Sequence, residues 1–264
     1  MKISFIGFGN MAKAIAKGLC QNKALKISAA SPSLPAAVNS EGITTHFENL
    51  AIVKEANVLI LAVKPANVTT VLAEIKPAIP KSCIVLSIAA GISLAKLADF
   101  CPPKQPIVRC MPNTPMAVGS GATALIANSF VTNTQKRTVE ALFQYSGITA
   151  WVSKEAEMNA ITALSGSGPA YVFLFIEAMI NAAQHLGLDE ELARDFALQT
   201  IAGAVSLMEK SNEKPEILRK KVTSPAGTTA AAIAILQQQK FEELIFSAMQ
   251  AAYLRAEQLS TALT

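Results

Sequence analysis

Along the first half of the chain, short apolar runs rich in β-branched residues alternate with stretches of helical periodicity. The runs fall at Ile3–Ile6, Ile27–Ala30, Val58–Val63, Ile84–Ser87, Ile107–Met111, Ala122–Ala127 and Thr149–Val152. Helical patterning separates many of them, at Met11–Gln21, Pro65–Ile75, Ser93–Phe100 and Thr134–Tyr145. Continuous apolar strands alternating with helices predict a largely parallel sheet covered on both faces. After Trp151 the strand signal stops. Helical patterns then fill 155–163, 169–186, 189–209, 215–222, 228–239 and 241–260, with breaks expected at Gly166–Pro169, Gly187, Pro215 and Pro225. The pattern divides the chain into an α/β domain, 1–157, and an all-helical domain, 158–264.

Composition narrows this picture. The chain has 264 residues, 51% hydrophobic and only 16% charged, which fits an ordered globular protein with real cores. High alanine content and few aromatics suggest closely packed helices, including a subunit interface. A net charge of +4 is too mild to argue for nucleic acid. Four scattered cysteines without C-x-x-C spacing and two isolated histidines predict no metal site and a reducing, cytoplasmic setting. The first strand begins at Lys2, so no signal peptide is expected. The run Ala170–Ala183, interrupted by Glu177 and Asn181, is expected to be a buried helix and not a membrane span.

Chemistry enters at Gly7-Phe8-Gly9-Asn10-Met11-Ala12, a G-x-G-x-x-A motif between the opening strand and the first helix. The first glycine permits a tight turn, the second admits a pyrophosphate, and the small third residue lets helix pack on strand. This is the context of a Rossmann-like dinucleotide site. An NAD site usually places Asp or Glu at the end of the second strand, for the ribose 2′-hydroxyl. Here the residues are Ala29-Ala30-Ser31-Pro32-Ser33, and the next acid is Glu41. A 2′-phosphate could be held by Ser31, Ser33 and backbone N–H groups, which favours NADPH while leaving NADH acceptable. Two further loops lie at carboxyl ends of strands: Ala62-Val63-Lys64-Pro65 and Met111-Pro112-Asn113-Thr114-Pro115. In the first, contacts from Ala62 and Val63 are favoured over a role for the Lys64 charge. In the second, Asn113 and Thr114 suit either a nicotinamide pocket or a rigid turn.

Near the far end, Thr223-Ser224-Pro225-Ala226-Gly227-Thr228-Thr229 precedes an alanine-rich helical run. Unpartnered N–H groups and the helix dipole there would favour a carboxylate, although an ordinary capped turn has the same composition. The chain shows no Ser-His-Asp set and no loop histidine suited to alcohol oxidation. An alcohol dehydrogenase needs a general base. A protonated imine is electrophilic before it binds, so its reduction needs mainly positioning.

Taken in order, these motifs resemble the pyrroline-5-carboxylate reductase family, which catalyses the last step of proline synthesis. The resemblance runs end to end, through Phe5–Ala12, Leu61–Pro65, Ser87–Ile92, Arg109–Pro115, Ala163–Tyr171 and Val222–Thr229. It implies hydride transfer from NAD(P)H to the C=N bond of 1-pyrroline-5-carboxylate. It also implies a nicotinamide-binding N-terminal domain and an all-α dimerisation domain, giving a homodimer or higher oligomer with the active site formed at the dimerised helices. Carried over by position, Gly7, Gly9, Asn10 and Met11 serve the pyrophosphate turn, Ser31 the 2′-phosphate and Asn49 the adenosine ribose. Ala62, Val63, Lys64 and Ala89 line the nicotinamide side. Ser224, Gly227, Thr228 and Thr229 hold the substrate carboxylate, with the Thr229 hydroxyl near the imine nitrogen as the catalytic group. One departure stands out: the family usually has two glycines where this chain has Ala226-Gly227, and alanine resists positive φ.

Two rival readings are weaker. A β-hydroxyacid dehydrogenase would want a lysine early in the second domain, and the helix from Pro169 to Leu186 has none. A nucleotide sensor without turnover keeps the fold, which alone excludes nothing; the segment Ser224–Thr229 argues against it.

Overall fold

The computed structural model describes residues 1–262. The strands are β1 (Lys2–Ile6), β2 (Lys26–Ala30), β3 (Ala37–Val38), β4 (Thr44–His46), β5 (Val58–Leu61), β6 (Ile84–Ser87), β7 (Ile107–Met111), β8 (Gly121–Ala127) and β9 (Gly147–Trp151). The helices are α1 (Asn10–Leu19), α2 (Leu50–Val53), α3 (Val68–Ile75), α4 (Leu94–Phe100), α5 (Asn133–Phe143) and α6 (Glu155–Ile161). They continue as α7 (Gly168–His185), α8 (Glu190–Ser211), α9 (Pro215–Lys221), α10 (Thr228–Gln238) and α11 (Phe241–Ala262). Two compact units result: Met1–Pro169 together with the chain from Ala251 onward, and Ala170–Gln250.

The first unit is built on a nine-stranded sheet in the order β3-β4-β2-β1-β5-β6-β7-β8-β9. Strands β1, β2, β4, β5, β6 and β7 run parallel. The edge strand β3 is antiparallel to β4, and β8 is antiparallel to β7 but parallel to β9. Because strand side chains alternate, each apolar run feeds two cores. Ile3, Phe5, Ile60 and Leu86 pack with Ile15 and Leu19 of α1 and Phe143 of α5. Ile6, Leu59, Leu61 and Val85 face the other way, onto Leu72 and Ile75 of α3 and Leu97 of α4. All four residues of β5 and of β6 are buried, which is why their sequence shows no polar alternation.

The structure departs from the sequence expectation in several places. Strands β3 and β4 were not foreseen: they are short, and their hairpin is closed by the Asn39 Oδ1, which accepts the N–H groups of Glu41 (3.0 Å) and Ile43 (2.9 Å). The helix expected from Pro65 opens as a 3-10 turn, Pro65–Asn67, before α3 begins. The break expected at Gly166–Pro169 shrinks to a single bend at Ser167. A π-helical turn, Thr162–Gly166, joins α6 to α7, with the Ser167 N–H reaching the Thr162 carbonyl at 2.8 Å. The resulting run Glu155–His185 is long and apolar enough to cross a membrane by length and composition, a criterion that core helices of soluble proteins also meet. Helix α6 itself belongs with the sheet, since Met158 packs on Ala124 and Ile126 of β8. The boundary read after residue 157 falls within this helix.

The second unit is helical throughout. Helix α8 is capped by Asp189, whose side chain accepts the Leu192 N–H at 3.0 Å, and ends at Asn212 in the left-handed conformation. Pro215 opens α9, where its missing N–H costs nothing. Among the described residues of this unit, only Ala193 and Ala197 are buried. Helix α7, expected to be buried, contributes no buried residue at all. Phe173, Ile176, Ile180 and Leu198 instead line an open apolar groove along α7 and α8.

Candidate active site

The cofactor half lies at the carboxyl ends of parallel strands, where open α/β sheets bind ligands. Beyond β1, Gly7 adopts φ +84°, and its N–H donates to the Ala30 carbonyl at 2.8 Å. A Cβ at Gly7 would stand 2.7 Å from the Ala62 carbonyl oxygen, so only glycine fits between the β1 and β5 loops. Gly9 is the N-cap of α1, and nothing lies within 4 Å of where its Cβ would stand. That open cradle, facing the first-turn N–H groups of Asn10 and Met11, suits a pyrophosphate. Ala12 is buried and lets α1 sit close to the sheet.

Ser31 follows β2 directly. Its N–H donates to the His46 carbonyl at 3.1 Å, and its hydroxyl lies 3.4 Å from that of Ser33. Ala62 and Val63 follow β5 and are half-buried, whereas Lys64 is exposed. Ala89, after β6, is buried, and its N–H donates to the Ser87 hydroxyl at 3.3 Å. These residues share one edge of the sheet. Asn49 stands further out, at the N-cap of α2, where its amide donates to Glu74 Oε2 of α3 at 3.0 Å.

Two supporting networks escaped the sequence reading. Asn113 is buried. Its amide donates to the carbonyl and hydroxyl of Ser165 (3.2 Å each), and its Oδ1 accepts the Ala122 N–H at 2.8 Å. It therefore fastens the end of β7 to the π turn, and the rigid-turn alternative describes its contacts. The second network centres on Glu155, which pairs with the buried Arg109 guanidinium and accepts the Leu94 N–H at 2.7 Å. An arginine inside an apolar strand announces that a partner must exist. Nothing in the sequence says which carboxylate it is. Cys110, beside it, is a buried small hydrophobe whose thiol is pushed up by desolvation.

The carboxylate-binding candidate lies in the helical unit. Ser224 to Gly227 close a tight turn, with the Gly227 N–H on the Ser224 carbonyl at 3.1 Å. Gly227 caps α10, an 11-residue helix whose first residues are Thr228 and Thr229. A Cβ at Gly227 would meet the Ser224 hydroxyl at 2.4 Å, so glycine holds Ser224 against the helix end. The Thr223 hydroxyl is turned away, donating to the Arg219 carbonyl at 2.6 Å. Ala226 adopts φ 58°. The alanine therefore occupies the left-handed region that a glycine would reach freely, at a cost of about 1 kcal/mol.

Known proteins match both regions of the chain. A family model described as pyrroline-5-carboxylate reductase dimerisation matches residues 155–259. A second, described as NADP oxidoreductase, coenzyme F420-dependent, matches residues 2–91. A pyrroline-5-carboxylate reductase of Pseudomonas aeruginosa is 40% identical over 264 residues, covering 98% of this chain and 97% of that protein. A crystal structure of the Plasmodium falciparum pyrroline carboxylate reductase with NADP bound superposes with a TM-score of 0.90 at 33% identity, covering 98% of both chains. The structure of a Coxiella burnetii pyrroline-5-carboxylate reductase gives the same TM-score, 0.90, at 38% identity and 98% coverage of each chain.

Proposed function

The chain belongs to the pyrroline-5-carboxylate reductase family, NAD(P)H-dependent enzymes that reduce the C=N bond of 1-pyrroline-5-carboxylate to give L-proline, and we propose how its residues divide that work. The reading rests above all on the full-length correspondence with reductases of that name. NADPH, when bound, supplies the hydride that reaches the imine carbon. Gly7 and Gly9 shape the turn for its pyrophosphate, with Asn10 and Met11 presenting N–H groups. Ser31 takes the 2′-phosphate and Asn49 serves the ribose. Ala62, Val63, Lys64 and Ala89 form the nicotinamide side.

In the helical unit, the α10 N-terminus binds the substrate carboxylate through Ser224, Gly227, Thr228 and Thr229. Holding that carboxylate fixes which carbon is offered for reduction. The Thr229 hydroxyl hydrogen-bonds the ring nitrogen, or relays a proton to it. No side chain has to remove a proton from the reacting carbon, which accords with a site built from hydroxyls and backbone N–H groups.

A second copy of the chain is the natural occupant of the apolar surfaces on α7 and α8. Phe173 and Phe196 are each about two-thirds exposed (65% and 66%) in a region that matches a dimerisation model. Covering them removes that surface from water. All four cysteines are free thiols, which suits the cytoplasmic setting expected from the sequence.

The test is NADPH oxidation in the presence of pyrroline-5-carboxylate, with NADH in parallel. Turnover with NADPH is expected, and Thr229→Ala should lower kcat/KM by about one to two orders of magnitude, as for loss of one polar transition-state contact. An unchanged kcat/KM in that variant removes Thr229 from the mechanism. A folded protein that binds NADPH yet turns nothing over would bring the sensing alternative forward.

A further inference from the structure

We infer that His46 and Phe47 form the adenosine end of the cofactor site, the imidazole N–H serving the 2′-phosphate and the exposed phenyl face serving adenine. The inference deepens the proposed cofactor site and rests on the reading of Ser31 as a 2′-phosphate ligand.

Donors for a phosphate are scarce around Ser31. Two neutral hydroxyls, Ser31 and Ser33, are a thin complement for a phosphate dianion, and the first arginine in the sequence is Arg109, in β7. The fold supplies a neighbour. His46 ends β4 in register with Ala30, the last residue of β2, so it sits one strand over at the level where Ser31 leaves the sheet. The Ser31 N–H to His46 carbonyl bond, 3.1 Å, ties the two positions together.

The imidazole is held in a defined state. Its Nδ1 accepts the Glu48 N–H at 2.9 Å, so the lone pair there is engaged and the neutral ring carries its proton on Nε2. The ring also stacks on Phe47, centroids 4.7 Å apart at 23°. Two restraints on one side chain leave little rotamer entropy to lose on binding. Phe47 is 52% exposed beside this polar cluster. A flat aromatic face at that position is a stacking surface for a purine.

The experiment titrates the full chain with 2′,5′-ADP and with 5′-AMP, adenosine fragments that differ in the 2′-phosphate alone. The His46→Asn variant keeps an acceptor for the Glu48 N–H but loses the Nε2 donor. It should weaken 2′,5′-ADP by about ten- to a hundredfold, the range for a hydrogen bond to a charged group, and leave 5′-AMP within about twofold. His46→Gln, which returns an N–H near the Nε2 position, should recover part of the loss. Phe47→Ala should weaken both fragments alike, by about tenfold or more. Unchanged 2′,5′-ADP affinity in His46→Asn overturns the imidazole role, and unchanged affinity for both fragments in Phe47→Ala overturns the stacking role. A wild type that binds both fragments equally, with Ser31→Ala altering neither, sinks the underlying 2′-phosphate reading as well, and so separates the two failures.

Discussion

The sheet unit and the helical unit treat the same kind of residue in opposite ways. In the first, apolar side chains such as Phe5, Leu59 and Phe143 are sealed between sheet and helices. In the second, apolar side chains of the same size stand in the open, and only two alanines are buried. A chain can complete one core by itself and leave another to be completed by association. The difference lies in layering: a sheet flanked by helices encloses two cores, while a small set of helices with apolar faces has no layer to close them. The turn proposed for the nucleotide sits on the self-sufficient unit, and the turn proposed for the carboxylate sits on the one whose apolar faces are open.

The sharpest way to break this comparison is Phe173→Asp. It should dissociate the assembly to the 27.8 kDa chain in light scattering and lower activity by about two orders of magnitude, the scale of a lost interface anchor. In the same variant the sheet unit should remain intact. Cys83 and Cys101 are buried with thiols pushed up to about 12 by desolvation, and Cys110 on β7 is buried in the core on the other face of the sheet, its thiol also pushed up. All three should therefore resist a thiol reagent at neutral pH until denaturant is added. Labelling of all three in the dissociated protein would mean the sheet unit is not self-sufficient.

Smaller effects sharpen the contrast. Leu59→Ala should cost about 2–5 kcal/mol of stability, a core cavity, without changing the subunit count measured by light scattering. Glu155→Gln keeps an oxygen to accept the Leu94 N–H but removes the charge that pairs with the buried Arg109; because Glu155 is partly exposed, a loss of about 2 kcal/mol in a denaturant melt is expected. Ala226→Gly relieves the left-handed alanine but adds freedom to the unfolded chain. The balance is a gain of about 0.5 kcal/mol, and a clear loss of stability would contradict the φ seen at Ala226.

Much of the sheet unit was legible because its strands are buried on both faces and Gly7 of its glycine turn has a steric reason to be there. The helix start at Gly227–Thr229 was legible as small residues before an apolar helical run. What escaped was whatever depends on long-range partners. Gly166-Ser167-Gly168-Pro169 reads locally as a break, yet Asn113, far away in sequence, holds Ser165 in a π turn and the helix continues. The short strands β3 and β4 were invisible because Thr44-Thr45-His46 has no apolar run to betray it. The apolar pattern of α7 was read as a buried helix, yet none of its residues is buried within this chain, because periodicity does not say whether the cover is the same chain or another.

The reversal at β8 has a consequence for direction of travel. In an unbroken series of strand-then-helix units, each strand climbs toward the carboxyl edge and each helix descends. A chain leaving after β7 by that rule would depart from the far edge. Because β8 and β9 run downward, α5 and α6 must climb, and the chain reaches the π turn beside Met111, where a Cβ on Gly166 would stand 2.6 Å from the methionine Cε. One sign change thus sets the parity of everything after it. It brings the π turn to the carboxyl end of β7, a level decided by strand direction before any side chain is chosen.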